Sequence, residues 1–153
     1  MHDVVLDGPY ITINSKRLVN FCSNDYLGIK ELKIPNKQNQ SSSRLIAGND
    51  KSFKILEDKL AKHKSQENSL IFPTGYMTNL GVITTLVDKH DLVLSDEFNH
   101  ASLIEACKMC GVKPSIFKHN NIDDLSNKIK QPAKRKFIIT EGIFSMDGDF
   151  SDI

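Results

Sequence analysis

Apolar and polar positions alternate near the start of the chain. Tyr10-Ile11-Thr12-Ile13 has the two-residue period of a strand, Asn14-Ser15-Lys16 is a turn, and Arg17-Leu18-Val19-Asn20-Phe21 answers it. That pattern predicts a β-hairpin. Residues 22–50 lose the period and are rich in Ser, Asn and Gly, the mark of a long loop of the kind that carries function. From Lys51 the spacing changes to three and four. Phe53, Leu56 and Leu60 predict one face of a helix. Further along, Ser69–Phe72 reads as a short buried strand, Pro73-Thr74-Gly75 as a turn, Tyr76–Val87 as a helix and Asp91–Leu94 as a strand. Ala101–Met109 is a helix stopped by Gly111, Ser115–Phe117 a strand, Ile122–Ile129 a helix and Phe137–Thr140 a strand.

Strands that alternate with helices predict βαβ units and a mostly parallel α/β sheet. Right-handed crossovers would bring the strand C-terminal ends to one edge, where ligands sit in open α/β sheets. The loops leaving those ends carry Thr74-Gly75-Tyr76, Asp96 to Ser102, His119-Asn120-Asn121 and Glu141 to Asp149.

Composition narrows the function classes. The chain has 153 residues, 39% apolar and 25% charged, with a net charge of +1. This is a soluble globular balance, sized for one domain or a piece of a larger one. It gives no reason to expect nucleic acid or an anionic membrane as partner. The basic run Lys134-Arg135-Lys136 reads as a solvated loop before a strand. The three cysteines, Cys22, Cys107 and Cys110, form no disulfide framework, which points to a reducing compartment. Cys107-x-x-Cys110 lies in a helical pattern without a second Cys/His pair, so it reads as helix packing and not as a metal site. Met1–Val5 lacks a leader pattern and no apolar run reaches membrane-spanning length, so the expected location is the cytoplasm.

Three places carry candidate chemistry. Thr74-Gly75-Tyr76 opens a helix straight after a strand. It is either a plain turn or an anion site, since the first helical N–H groups are unpaired and partly positive. Neither Gly-x-x-x-x-Gly-Lys nor Gly-x-Gly-x-x-Gly occurs, which argues against a P-loop and a nicotinamide fold. Asn99-His100-Ala101-Ser102 starts the next helix, where the His serves either as a cap or to stack on a flat ligand. His2, His63, His90 and His119 share no ligand spacing with it, so no metal is expected. Glu141 and Ser145 follow the last strand; a Ser hydroxyl there can hold a phenolate oxygen, and the Gly-x-Ser-x-Gly setting of a nucleophilic Ser is absent.

Taken together, several segments resemble the α-oxoamine synthases, pyridoxal 5′-phosphate (PLP) enzymes of the aspartate aminotransferase fold (fold type I). They are Asn20–Gly28, Ser43–Asn49, Leu56–Ala61, Thr74-Gly75-Tyr76 with Asn79, His100–Ala106 and Thr140–Asp149. The resemblance runs in order along nearly the whole chain and is closest to the 8-amino-7-oxononanoate synthases. It implies an incomplete three-layer large domain with an N-terminal hairpin, divided as 1–50 (hairpin and substrate loop) and 51–153 (first part of the PLP-binding domain). It further implies that the Gly75 and Tyr76 backbone binds the cofactor phosphate and that His100, the candidate catalytic residue, stacks on the pyridine ring. Ser145 would bond the phenolic oxygen with Glu141 in support. Asn24 would lie near the substrate carboxylate and Ser43 near the substrate side chain, where a small residue leaves room for alanine. The implied reaction condenses L-alanine with a pimeloyl thioester, on CoA or a carrier protein, with loss of carbon dioxide, in biotin synthesis. A glycine-using relative and a non-catalytic interaction module are the alternatives.

The same resemblance places the Schiff-base Lys, and the Asp that pairs with the pyridine nitrogen, after the Ser145 loop. The chain is therefore expected to be the N-terminal part of such an enzyme, inactive alone, with a homodimer or a complementing chain belonging to the completed fold. In that fold the Leu92–Leu94 and Ser115–Phe117 strands are expected to be neighbours. Leu70–Phe72 and Phe137–Thr140 are expected to be left without strand partners.

Overall fold

The computed structural model describes residues 4–29 and 42–152. Part of the irregular segment 22–50, the first Ser of the Ser41-Ser42-Ser43 run, His2 and the first residues of Met1–Val5 lie outside the described residues. The chain forms two compact units, Met1–Asp50 and Lys51–Ile153.

In the first unit, β1 (Val4–Asp7), β2 (Tyr10–Ile13) and β3 (Lys16–Val19) make an antiparallel sheet in that order. The predicted hairpin is β2–β3. Ile13 pairs with Lys16 across a two-residue loop, and both loop residues, Asn14 (φ 49°) and Ser15 (φ 62°), have the positive φ of the turn whose twist matches the strands. The sequence pattern does not predict β1. It is joined to β2 by Gly8-Pro9, with Asp7 opposite Tyr10 and Gly8 at φ 55°, and it pairs along the free edge of β2. The Arg17 guanidinium lies 3.7 Å from the centre of the Tyr10 ring, which fixes one face of the hairpin. A one-turn helix, α1 (Arg44–Ala47), follows, with Ser43 at its N-cap.

The second unit holds α2 (Lys51–His63), α3 (Gly75–Leu86), β4 (Leu92–Asp96), α4 (Ala101–Met109), β5 (Ser115–Phe117), α5 (Ile122–Lys128) and β6 (Lys136–Ile139). Its parallel sheet has the order β5-β4-β6. Alternate residues of β4 serve opposite faces, as the strand period requires. Val93 packs with Ile83 of α3, Val87 at its C-cap, and Leu103, Ala106 and Cys107 of α4. Leu94 packs with Phe117 of β5 and Leu125 of α5. The sheet is thus covered on both faces, the three-layer α/β arrangement expected. Cys107 is a core residue and Cys110 reaches the Ile83 carbonyl at 3.7 Å; burial raises the pKa of both thiols.

Three expectations are corrected. β6 does have a partner: it runs parallel to β4, with Val93 opposite Phe137 and Leu94 opposite Ile138. The reason is that Phe137 and Ile139 extend the apolar face of Val93 into the core beneath α3 and α4. Ser69–Phe72, by contrast, is not a strand among the described residues. It is held to α2 instead: Ser69 Oγ donates to the Glu57 carbonyl at 2.6 Å, and Ile71 N–H donates to the Glu57 carboxylate at 3.2 Å. Glu57 and Ala61 are therefore the buried residues of α2, while Leu56 and Leu60 of the predicted apolar face stay exposed. Finally, Arg135 is more than part of a solvated loop. It grips Asp91 with two bonds of 2.9 and 2.6 Å, and its carbonyl accepts the Leu92 N–H, so it aligns the starts of β4 and β6.

Candidate functional site

Two helices begin at the sheet edge where the parallel strands end. At the start of α3, Thr74 Oγ1 accepts the Met77 N–H at 3.1 Å and the Thr74 carbonyl accepts the Thr78 N–H. That cap leaves the N–H groups of Gly75 and Tyr76 without intrahelical acceptors. Apart from its chain neighbours and the backbone of its own helix, no described residue comes within 4 Å of where a Cβ on Gly75 would sit, so the backbone there is open to approach.

At the start of α4, His100 is the N-cap. Its Nδ1 accepts the Ser102 N–H at 3.1 Å and lies 2.7 Å from Ser102 Oγ. Asn79, one turn into α3, donates its amide to that same Oγ at 2.9 Å. Since Nδ1 already accepts from one N–H and Ser102 Oγ accepts from Asn79, the consistent assignment has the Ser102 hydroxyl donating to Nδ1. The neutral His100 then keeps its proton on Nε2. Capping thus uses Nδ1 and leaves Nε2 and the ring face uncommitted among the described residues. On the other side, the His100 backbone N–H donates to the Glu141 carboxylate. Glu141 thereby closes an orphan N–H at the positive end of α4. Between them, buried Asn99 donates to Ser95 Oγ at 2.9 Å and to the Ile139 carbonyl at 2.7 Å. Its Oδ1 is buried without a partner among the described residues.

Beyond β4 lies a second cluster. Asp96, 2% exposed, ends the strand. It accepts the Phe98 N–H at 2.9 Å and the Asn120 N–H at 3.3 Å, and its Oδ1 lies 3.0 Å from His119 Nδ1. The other ring nitrogen, Nε2, lies 2.7 Å from Asp149 Oδ2, which also takes the Asn120 amide at 2.9 Å. The ring is stacked on Phe98 (centroids 4.5 Å apart) and met edge-on by Phe144 (4.4 Å). Bonds to Asp149 and Asp96 raise the His119 pKa above its ordinary value, and the bond from His119 lowers that of Asp149. Asp149 and Phe144 are the two feet of a small hairpin: Phe144 N–H donates to the Asp149 carbonyl at 3.0 Å, Gly148 N–H to the Phe144 carbonyl at 2.7 Å, and Ile143 bridges Phe150. Ser145 stands at its tip, exposed and with no hydrogen bond among the described residues.

The sequence-predicted residues divide accordingly. Glu141 and His100 touch directly; Gly75 and Tyr76 join them through Asn79 and Ser102; Ser145 stands on the loop that follows Glu141. Asn24, whose Oδ1 accepts the Tyr26 hydroxyl at 3.3 Å, and Ser43 belong to the first unit. Sequence reasoning does not single out Asp96, His119 and Asp149 as a set. Their only signal is that each lies in a loop leaving a strand end, since their separations of 23 and 30 residues have no local period. Among the described residues, no group of three or more His, Cys, Asp or Glu side chains is arranged to hold a metal, and no helix is long and apolar enough to cross a membrane.

A profile of the aminotransferase class I and II family matches residues 16–153. A putative 8-amino-7-oxononanoate synthase of Trichodesmium erythraeum is 39% identical over 157 residues, covering 94% of this chain and 40% of its own length. The chain thus spans about 40% of the length of the curated relatives it matches. Among solved structures, a serine palmitoyltransferase of Sphingomonas wittichii superposes with a TM-score of 0.83 at 28% identity, over 99% of this chain and 41% of that one. An SPT with PLP gives a TM-score of 0.83 at 25% identity, over 98% and 42%.

Proposed function

The chain belongs to the aminotransferase class I and II family, and we propose that it carries the cofactor-binding side of a PLP-dependent acyltransferase of the 8-amino-7-oxononanoate synthase kind. The reaction assigned to the whole protein condenses L-alanine with a pimeloyl thioester, on CoA or a carrier protein, with loss of carbon dioxide, a step of biotin synthesis. The observation that supports this most is the contact chain Asn79–Ser102–His100–Glu141. It joins a helix start with free N–H groups, an aromatic ring with an uncommitted face and a carboxylate along one sheet edge.

These residues fit the cofactor. The open backbone at Gly75 and Tyr76 offers N–H donors to a phosphate. His100, fixed in plane by the bond at Nδ1, offers its face to a flat ring. The free Ser145 hydroxyl can donate to a phenolic oxygen. PLP supplies an electron sink for the carbanion formed at the amino acid, and the protein supplies orientation and electrostatics. Glu141 orients His100 by holding its backbone N–H. Asn24 would contact the substrate carboxylate, and Ser43 would leave space for the alanine methyl. A cytoplasmic location and a dimer are part of the same reading.

Titrating the purified chain with PLP and following cofactor absorbance tests the site. Saturable binding is expected, weakened about tenfold, or ~1.4 kcal/mol, in His100→Ala and in Ser145→Ala. Absence of saturable binding would sink the proposal.

A further inference from the structure

His119 touches both feet of the hairpin that presents Ser145. Its Nε2 meets the Asp149 carboxylate at 2.7 Å, and its ring packs against Phe144, itself 2% exposed. Its Nδ1 is fixed to Asp96 at the end of the central strand. Both ring nitrogens therefore face carboxylate oxygens, and both bonds form together only when both nitrogens carry protons. The His119 side chain is 14% exposed and that of Asp96 1%, against 42% for Asp149, so water competes least for the Asp96 bond. Asp149 adds a second sign: its Oδ1 is buried with no partner among the described residues, and the protein groups that meet the carboxylate, His119 and Asn120, both do so at Oδ2. Among the described residues, the hairpin is fastened on this side by Asp149, by the Asn120 amide and by the ring contact at Phe144.

We infer that His119 is the positioning residue for Ser145: clamped between Asp96 and Asp149, it sets the height and aim of the 144–149 hairpin over the sheet edge, and with it the hydroxyl that meets the cofactor's phenolic oxygen. The inference rests on the proposed PLP reading for Ser145. It places a cationic ring one layer behind the site, acting through Asp149 and Phe144 and not by contact with cofactor. The charged groups that face it are Asp96 of β4, Asp149 of the hairpin and Glu97, whose carboxylate takes the His119 backbone N–H at 2.8 Å. Next along the chain, Lys118 gives its N–H to Asp124 of α5, which is paired with Lys128. Among the described residues, no cation is paired with the ring's two carboxylate partners in its place. The rise in the His119 pKa agrees with this setting.

Two measurements on the purified chain decide it: amide exchange protection of Phe144 and Gly148, the hairpin's own hydrogen-bonded N–H groups, and PLP affinity by titration. In His119→Ala and in the size-preserving Asp149→Asn, protection of both amides should fall about tenfold while β4 amides keep theirs. PLP affinity should fall with it. In the unsubstituted protein, protection should drop as pH rises through the His119 titration, followed by NMR of the imidazole nitrogens, and Asp149→Asn should lack that drop. Ser145→Ala should weaken PLP and leave both amides protected. Hairpin protection unchanged in Asp149→Asn overturns the inference. So does a loosened hairpin that binds PLP as tightly as before while Ser145→Ala does not. If Ser145→Ala itself binds PLP unchanged, the reading beneath the inference fails, whatever the amides show.

Discussion

The Glu141 carboxylate accepts the backbone N–H of His100. A loop leaving β6 thereby completes the first turn of a helix that follows β4, so two candidate site residues 41 positions apart share one bond.

Removing that bond should cost stability as well as affinity. Glu141→Ala exposes an unmatched N–H at the positive end of α4 and is expected to lower the unfolding free energy by about 1–2 kcal/mol, with Glu141→Gln losing less. Urea denaturation measures the difference.

Ser102→Ala should cost roughly 1–2 kcal/mol, because it leaves the half-buried Asn79 amide without its acceptor. It should also weaken PLP binding, since the His100 ring loses its 2.7 Å neighbour. Chemical denaturation and a PLP titration on the same variant separate the two effects.

Stability should follow pH with a defined sign. The folded pKa of His119 lies above its ordinary 6.5, so its contribution is complete below about 6.5 and is lost as pH rises through the folded value. The folded pKa of Asp149 lies below 3.8, so its contribution is present above 3.8 and is lost as pH falls through the folded value. Urea midpoints from acid to alkaline pH should therefore be highest between the two, and His119→Ala should remove the alkaline decline.

Arg135→Ala should destabilise more than Asp91→Asn, since it leaves the nearly buried Asp91 carboxylate without its bidentate partner. Arg135 holds the Asp91 pKa below 3.8, so the advantage of the intact pair should fade as pH drops through that lowered value. Thermal melts of both variants at neutral and acid pH check the order and the trend.

Much of the second unit was legible because its signals are local. Thr74 and Asn121 cap α3 and α5 as their residue types favour, His100 caps α4 through its ring nitrogen, and Gly111, at φ 69°, ends the α4 turn as read. What escaped depends on partners distant in sequence. Val4–Asp7 becomes a strand only because β2 offers an edge. Ser69–Phe72 has strand composition, yet the Glu57 carboxylate takes the Ile71 N–H that a ladder would have used. His119 looks like an unattached histidine in the sequence because both aspartates that define it arrive through the tertiary fold. Gly75, Tyr76, His100, Glu141 and Ser145 are marked by family resemblance and by their places in loops and at helix starts; the bonds that tie His100 to Glu141 and, through Ser102 and Asn79, to the helix that Gly75 and Tyr76 open are visible only in three dimensions.

Asp96 has a consequence for engineering. One carboxylate receives the Phe98 N–H, the Asn120 N–H and the His119 ring. The loops after β4 and β5, and through His119 the hairpin after β6, are therefore not interchangeable modules. A library that recombines one of them with a relative's sequence inherits a demand on the other two, and crossover points placed between them will succeed only when Asp96 and its three donors travel as a set.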